Sequence, residues 1–275
     1  MSYQPAAHYD RVTAAWTLLL GEELHYGVFD DPREELALAT GRLTELMLEA
    51  ARIEAGSEIL DIGCGTGAPT CRIAAETGAW VTGITTSPVG LAAARERAAG
   101  AGLSDRTRFE LRDGMANGFP DASFDRTWAL ESSHLMRDRD RLISECARVL
   151  RPGGRLVLCD IVLERRLELT EVRRLREPLA LLREVFGDAR MEPLAEYARL
   201  ARASGLEVEH ETDLTEATRP TFEHWRRNAT RYHDEVTELL GAAGPQRFAA
   251  ACDVLEGFWD DGTLGYGLIA ALKSV

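Results

Sequence analysis

The sequence predicts an α/β fold, a seven-stranded and mostly parallel sheet with flanking helices, a helical segment ahead of it and a helical cap inserted into it. Three observations carry this. From Glu58 onward, short apolar runs alternate with helix-length segments, the pattern of parallel strands joined by crossover helices. The first run, Glu58-Ile-Leu-Asp-Ile62, ends on the glycine turn Gly63-Cys-Gly-Thr-Gly67, and Pro69 then opens a helix over Ala68 to Thr77. Two helical stretches, 163–192 and 215–262, interrupt the alternation with no low-complexity linker, so the 275 residues read as one domain.

Taken in order, residues 1–55 are expected to form an N-terminal helical lid. Tyr3, His8, Tyr9, Trp16, His25, Tyr26 and Phe29 crowd its first thirty positions as a short helix and a loop. An amphipathic helix packed on the domain and a lid over the site are the two readings of this cluster. Asp31-Pro-Arg-Glu34 offers an N-cap, a proline at the first helical position and a Glu three residues after the cap, and predicts a helix from Pro32 to Ile53. The core follows over 56–162, with strands at 58–62, 80–84, 107–111, 125–130 and 155–160. Ser87-Pro88 starts the helix after the second strand, and Arg139 to Leu150 forms a helix before a turn at Arg151-Pro-Gly-Gly154. After the first cap stretch, Leu194 to Ala203 is a helix and Leu206 to Asp213 a strand within 193–214. After the second, residues 263–275 hold the last strand, Leu264 to Leu272. The cap charges, such as Arg173-Arg174, fit a solvated helix face. Leu179, Leu182, Val185 and Phe186 fit the apolar one.

The formal net charge is −13. Such a surface gains nothing from counterion release and is repelled by anionic lipid, which argues against nucleic acid and membrane partners. Positive charge is almost all arginine, with Lys273 the single lysine. The five cysteines form no C-x-x-C pair and no metal-ligand spacing, so buried free thiols, no metal and a cytoplasmic location are expected. No stretch is long and apolar enough to span a bilayer. A small-molecule substrate is the implied partner, and a homo-oligomer is left open.

A strand–glycine turn–helix lets backbone N–H groups and a positive helix end approach a ligand. Gly63, Gly65 and Ala68 fit G-x-G-x-x-G/A, which raises a dinucleotide site and an NAD-dependent oxidoreductase. Asp61 at the mouth of the turn would repel a pyrophosphate, and the second strand ends in Thr85 and Thr86 where an NAD ribose wants an acid. A cofactor with an ammonium and no phosphate suits Asp61 better. The stretch Ile59 to Gly67 resembles the first motif of class I S-adenosyl-L-methionine (SAM) methyltransferases, whose sheet is Rossmann-like. Arg112-Asp-Gly-Met115 resembles the family's adenine turn. Glu131-Ser-Ser-His134-Leu-Met136, Leu24-His-Tyr-Gly27 and Arg148-Val-Leu-Arg-Pro-Gly-Gly154 resemble small-molecule members of the rebeccamycin sugar O-methyltransferase and tocopherol methyltransferase type. The resemblance covers roughly residues 8–275 and is motif-specific over 58–160. It implies SAM as cofactor, held by Asp61, Gly63, Cys64, Gly65, Gly67, Thr85, Thr86, Asp113, Gly114, Met115, Glu131 and Tyr26. Thr85 departs from the many relatives that carry an acid there.

The resemblance also implies a catalytic pair, His134 after the fourth strand and Asp160 at the end of the fifth. Histidine is the side chain best poised to take a hydroxyl proton near neutral pH. A structural rim histidine and a loop-fixing carboxylate are the plainer readings of the two. Leu135 replaces the second histidine that the O-methylating relatives often carry, and His224 or His233 could act as base if either lined the site. The sequence thus expects a SAM-dependent methyltransferase of specialised metabolism, acting on a hydroxyl oxygen. C-methylation of a prenyl or polyketide-type acceptor, N-methylation and SAM binding without catalysis are the alternatives.

Overall fold

The computed structural model describes residues 5–274. Tyr3 of the N-terminal aromatic cluster lies outside the described residues, as does the side chain of Tyr9. The sheet has seven strands: β1 (Glu58–Ile62), β2 (Trp80–Thr85), β3 (Thr107–Leu111), β4 (Phe124–Leu130), β5 (Leu150–Leu163), β6 (Leu206–Asp213) and β7 (Leu264–Lys273), in the order β3-β2-β1-β4-β5-β7-β6. All pairings are parallel except those of β7, which runs antiparallel to both β5 and β6. The connections leave β1 towards β2 on one side, while β4 returns on the other. That reversal opens a crevice at the carboxyl ends of the strands, where ligands bind in doubly wound sheets.

Alternating side chains build a core on each face of the sheet. Ile59, Trp128 and Val157 point into the layer shared with α1 (Pro5–Leu20), α2 (Leu36–Ala51), α3 (Ala68–Thr77) and the cap, while Leu60, Leu156 and Leu158 join the layer under α5 (Arg139–Val149) and α8 (Leu194–Ala203). α4 (Pro88–Gly100) starts at Ser87, whose hydroxyl accepts from the Gly90 N–H at 2.8 Å, as Ser87-Pro88 predicts. The cap comprises α6 (Leu169–Arg174) and α7 (Arg176–Phe186), then α9 (Thr215–Thr218), α10 (Thr221–Arg231), α11 (His233–Leu240) and α12 (Gly244–Asp260). No helix among the described residues is long and apolar enough to cross a membrane.

Two local expectations are corrected. The helix predicted from Pro32 begins at Leu36, behind Glu35, because Asp31 and Glu34 are engaged elsewhere. Asp31 closes a turn onto the Arg33 N–H at 2.9 Å, and Glu34 accepts from Asp30 N–H and pairs with Arg42. The turn predicted at Arg151–Gly154 is absorbed into β5 as a bulge, with Leu150 opposite Phe124 and Arg155 opposite Arg126. Gly153, at φ +78°, supplies the kink.

The N-terminal helix is packed, not loosely draped. Val12, Ala15, Trp16, Leu19 and Leu20 of α1 are buried. The Ser87 hydroxyl donates to Asp10 at 2.5 Å, and Asn228 of α10 donates to the Leu19 carbonyl at 3.0 Å. α1 therefore joins the start of α4 to the cap and roofs the crevice.

Candidate active site

A continuous cavity of about 690 Å³ occupies the crevice. Asp61, Gly63, Cys64, Gly65, Thr85, Thr86, Asp113, Gly114 and Met115 line one end of it, on the loops after β1, β2 and β3. The other end is walled by Trp16 and Leu20 of α1, Leu179, Leu182 and Phe186 of α7, Trp225 of α10 and Leu255 of α12. Glu131 and His134, on the turn after β4, also line the cavity.

The glycines of the turn divide the work. Gly65 (φ +52°) would aim a Cβ at open space with nothing within 4 Å, so its missing side chain leaves room at the cavity wall. Gly63 (φ +80°) lets Ser132 approach, since a Cβ would come within 2.3 Å of Ser132 Cβ. Gly67 is not a cavity residue. Its Cβ would meet Ala94 Cβ at 2.8 Å, so it serves the packing of the turn on α4 rather than the ligand contact expected of it.

Asp61 is buried, and its Oδ2 accepts from Thr70 at 2.5 Å. The other carboxylate oxygen has no partner among the described residues and faces the cavity. Burial pushes the carboxyl up to about 7, only partly opposed by Thr70. A cation beside it would return it to the charged form, which is what the ammonium of a methionine-derived cofactor provides. Asp113 accepts from the Met115 N–H at 2.9 Å with Oδ1 and keeps Oδ2 for a ligand at the adenine turn. Thr85 is occupied, its hydroxyl accepting from Ser87 N–H at 3.1 Å, and the exposed Thr86 stands beside it on the cavity. These residues fit SAM.

His134 sits in a short 3₁₀ turn after β4. Its Nδ1 lies 2.6 Å from Asp160 Oδ1, and its backbone N–H donates to Asp160 Oδ2 at 3.0 Å. Asp160 does not reach the cavity. It is wholly buried behind the imidazole and also accepts from Ser133 Oγ at 2.5 Å and Ile161 N–H at 2.8 Å. Burial would raise the Asp160 carboxyl, but the charge and hydrogen bond of His134, then Ser133 and Arg139, hold it below its ordinary value. Burial likewise pulls His134 down, and Asp160, with help from Glu131, more than offsets this and raises it. With Nδ1 committed to the carboxylate, Nε2 is left for the cavity and has no partner among the described residues.

The cap histidines are elsewhere. His224 is stacked on Phe29 at 4.9 Å and bonded to the Pro32 carbonyl at 3.1 Å, and His233 is exposed beside Asp234. Neither is among the residues around the cavity, so the alternative base is withdrawn. Tyr26 borders the cavity, but its ring is sequestered among Phe222, Trp225, Trp259 and Tyr266. It serves the site through its backbone N–H, which donates to Glu131 at 2.8 Å.

Sequence reasoning missed Glu23 and His25 as a pair. Both ring nitrogens of His25 face acceptors, Nδ1 the Tyr26 carbonyl at 2.8 Å and Nε2 the Glu23 carboxylate at 3.0 Å, an arrangement that favours the protonated ring. Burial opposes this, and Glu23 and Glu131 raise it above its ordinary value. The one available signal was the histidine within the N-terminal aromatic cluster. Ser87, which caps α4, lines the cavity unforeseen, and Arg112 and Met136 of the two motifs line it as well.

The model of the family described as mycolic acid cyclopropane synthetase matches residues 2–252. The chain is 38% identical over 266 residues, 96% of its length and 95% of the relative's, to 27-O-demethylrifamycin SV methyltransferase of Amycolatopsis mediterranei (strain S699). Among solved structures it is similar to the [4+2]-cyclase SpnF, at 30% identity and a TM-score of 0.83 over 99% of this chain and 96% of that one. The cyclopropane synthase CmaA1, solved with S-adenosylhomocysteine and CTAB, shares the fold at a TM-score of 0.86 and 20% identity, over 98% and 96% of the two chains. The chain belongs to the mycolic acid cyclopropane synthetase family and is a SAM-dependent methyltransferase.

Proposed function

We propose that the protein methylates a hydroxyl oxygen of a small, largely apolar acceptor, with His134 as general base and Asp160 as its positioning residue. The carrying observation is the His134–Asp160 pair, which fixes the imidazole and turns Nε2 into the cavity. When bound, the cofactor supplies a sulfonium-activated methyl group at the end defined by Asp61, Gly65 and Asp113. His134 Nε2 would take the proton of the acceptor hydroxyl as its oxygen is methylated, and Asp160 would stabilise the imidazolium that results. The apolar cap walls would pack against the acceptor, so the displacement would gain from orientation and from removal of water at that contact. Support comes from the relative that methylates 27-O-demethylrifamycin SV, whose substrate name carries an unmethylated oxygen.

His134→Ala tests the reading. With chemistry rate-limiting, kcat should fall by about 10²–10⁴-fold while affinity for S-adenosylhomocysteine stays near that of the native protein. An unchanged kcat would move the protein to N- or C-methylation, which need no such base. A reaction that proceeds without release of S-adenosylhomocysteine would instead place it with the cyclase SpnF.

A further inference from the structure

Glu131 stands one residue beyond β4 with φ +45°, a left-handed backbone that non-glycine residues rarely adopt and that costs of order 1–3 kcal/mol. The turn drives its side chain into the cavity. There Oε1 accepts twice, from the Tyr26 N–H at 2.8 Å and the Tyr266 hydroxyl at 2.6 Å. These donors come from the N-terminal segment and from β7, so the carboxylate is fixed from two directions. Oε2 has no partner among the described residues and is not sealed from the cavity. Burial raises the carboxyl, opposed by the charge of His25 and the hydrogen bonds from Tyr266 and Tyr26.

The sheet order says which ligand Oε2 meets. The residues suited to the cofactor follow β1, β2 and β3, on one side of the switch point. Glu131, His134 and the Tyr266 that braces Glu131 belong to β4 and β7, on the other side, against the apolar walls of Trp16, Leu182, Phe186 and Trp225. Glu131 and His134 lie on one turn, three positions apart, and both offer an unused acceptor atom beside the apolar walls of the cavity. An acceptor with a single hydroxyl would cover Oε2 with apolar surface and leave it unmatched, a cost that selects against it.

We propose that the acceptor is an apolar molecule bearing two neighbouring hydroxyls, one deprotonated by His134 for methylation and the other hydrogen-bonded to Glu131. This rests on the O-methylation reading above. Glu131 is then a specificity residue for the acceptor, not the cofactor contact that the family motif suggested.

Matched probes test it: hexylcatechol against hexylphenol and naphthalenediol against naphthol, with saturating SAM and S-adenosylhomocysteine release as readout. The native protein should favour the diol of each pair by about 10- to 100-fold in kcat/KM, the cost of leaving one buried acceptor atom unmatched. Glu131→Gln keeps an oxygen for Tyr26 and Tyr266 but turns the cavity-facing atom into a donor. In it, kcat/KM for each diol should fall towards that of its monohydroxy partner, with affinity for S-adenosylhomocysteine retained. Equal use of diol and monohydroxy probes by the native protein overturns the proposal while leaving O-methylation intact, and needs no variant to fold. A preference that survives in Glu131→Gln, or a loss confined to S-adenosylhomocysteine affinity, also overturns it. No release with any of the four alcohols overturns the O-methylation reading and this one together.

Discussion

Two buried aspartates near the carboxyl ends of parallel strands, Asp61 in β1 and Asp160 in β5, are held in opposite states. Asp61 has one donor, Thr70, and burial lifts it to about 7. Asp160 has four, from Ser133 Oγ, His134 N–H, His134 Nδ1 and Ile161 N–H, and is held below its ordinary value despite complete burial. The difference separates a carboxylate awaiting a ligand's charge from one whose charge is already matched inside the protein. The first is a binding group, the second a support for a base. The two carboxylates thus do different work, one open to a ligand at the glycine turn and one closed behind the His134 imidazole, whose Nε2 alone faces the cavity.

The largest expected effect tests whether the glycine turn divides in this way too. Gly65→Arg should abolish S-adenosylhomocysteine binding by calorimetry while the protein stays folded, at about 1–2 kcal/mol of left-handed strain, because its side chain would enter open cavity space. Gly67→Ala should do the reverse. Its methyl would press on Ala94 and Phe109, so the melting temperature should drop while the folded protein still binds ligand. Equal binding losses in both variants would break the division.

On the other side of the site, Asp160→Asn should lower kcat and move the pH profile. The base must be neutral to act, so rate rises with pH through the His134 pKa, which Asp160 keeps above its ordinary value. Removing that charge lowers the His134 pKa, and the acid limb of kcat should shift to lower pH as the plateau falls. The double variant with His134→Ala should lose less than the product of the two single losses, since the pair acts as a unit. A limb that stays in place would separate Asp160 from the base.

The two sides also differ in how far the sequence reveals them. Each cofactor-side residue lies within a few positions of a strand end, so a local motif reports it. β1, β3, α3, α8 and β6 run where the apolar patterns place them. Gly67 escaped because a shared motif does not distinguish a glycine that clears a ligand from one that clears a helix. The acceptor side is assembled from distant pieces. Tyr266 reaches Glu131 across 135 positions, Trp16 meets Phe186 at 6.1 Å, and the Arg190 N–H holds the His134 carbonyl at 2.7 Å. No periodicity foretells such contacts. The same distance misled over His224, whose neighbour Trp225 lines the cavity while the histidine itself turns to Pro32. Pro152-Gly153 looked like a turn and became a bulge because pairing with β4 resumes on both sides of it.

The smallest effect expected is the pH dependence of cofactor affinity, and it sharpens the comparison of the two aspartates. In the free protein the Asp61 carboxyl titrates near 7 because burial disfavours its charge and Thr70 only partly compensates. A bound ammonium favours the charged form, so binding lowers this pKa and releases a proton wherever Asp61 was protonated beforehand. Affinity for S-adenosylhomocysteine should therefore be flat above about pH 7 and fall as pH drops below it, approaching tenfold per unit. Calorimetry at pH 6 in buffers of different ionisation enthalpy should reveal the released proton. Asp61→Asn, which keeps an acceptor for Thr70, should bind more weakly at pH 8 and lose this dependence. Asp160 titrates well below this window, so Asp160→Asn should leave the affinity profile in place while shifting that of kcat. A profile flat from pH 8 to 5 in the native protein would mean that Asp61 is charged without a ligand, and the contrast between the two carboxylates would fail at its first term.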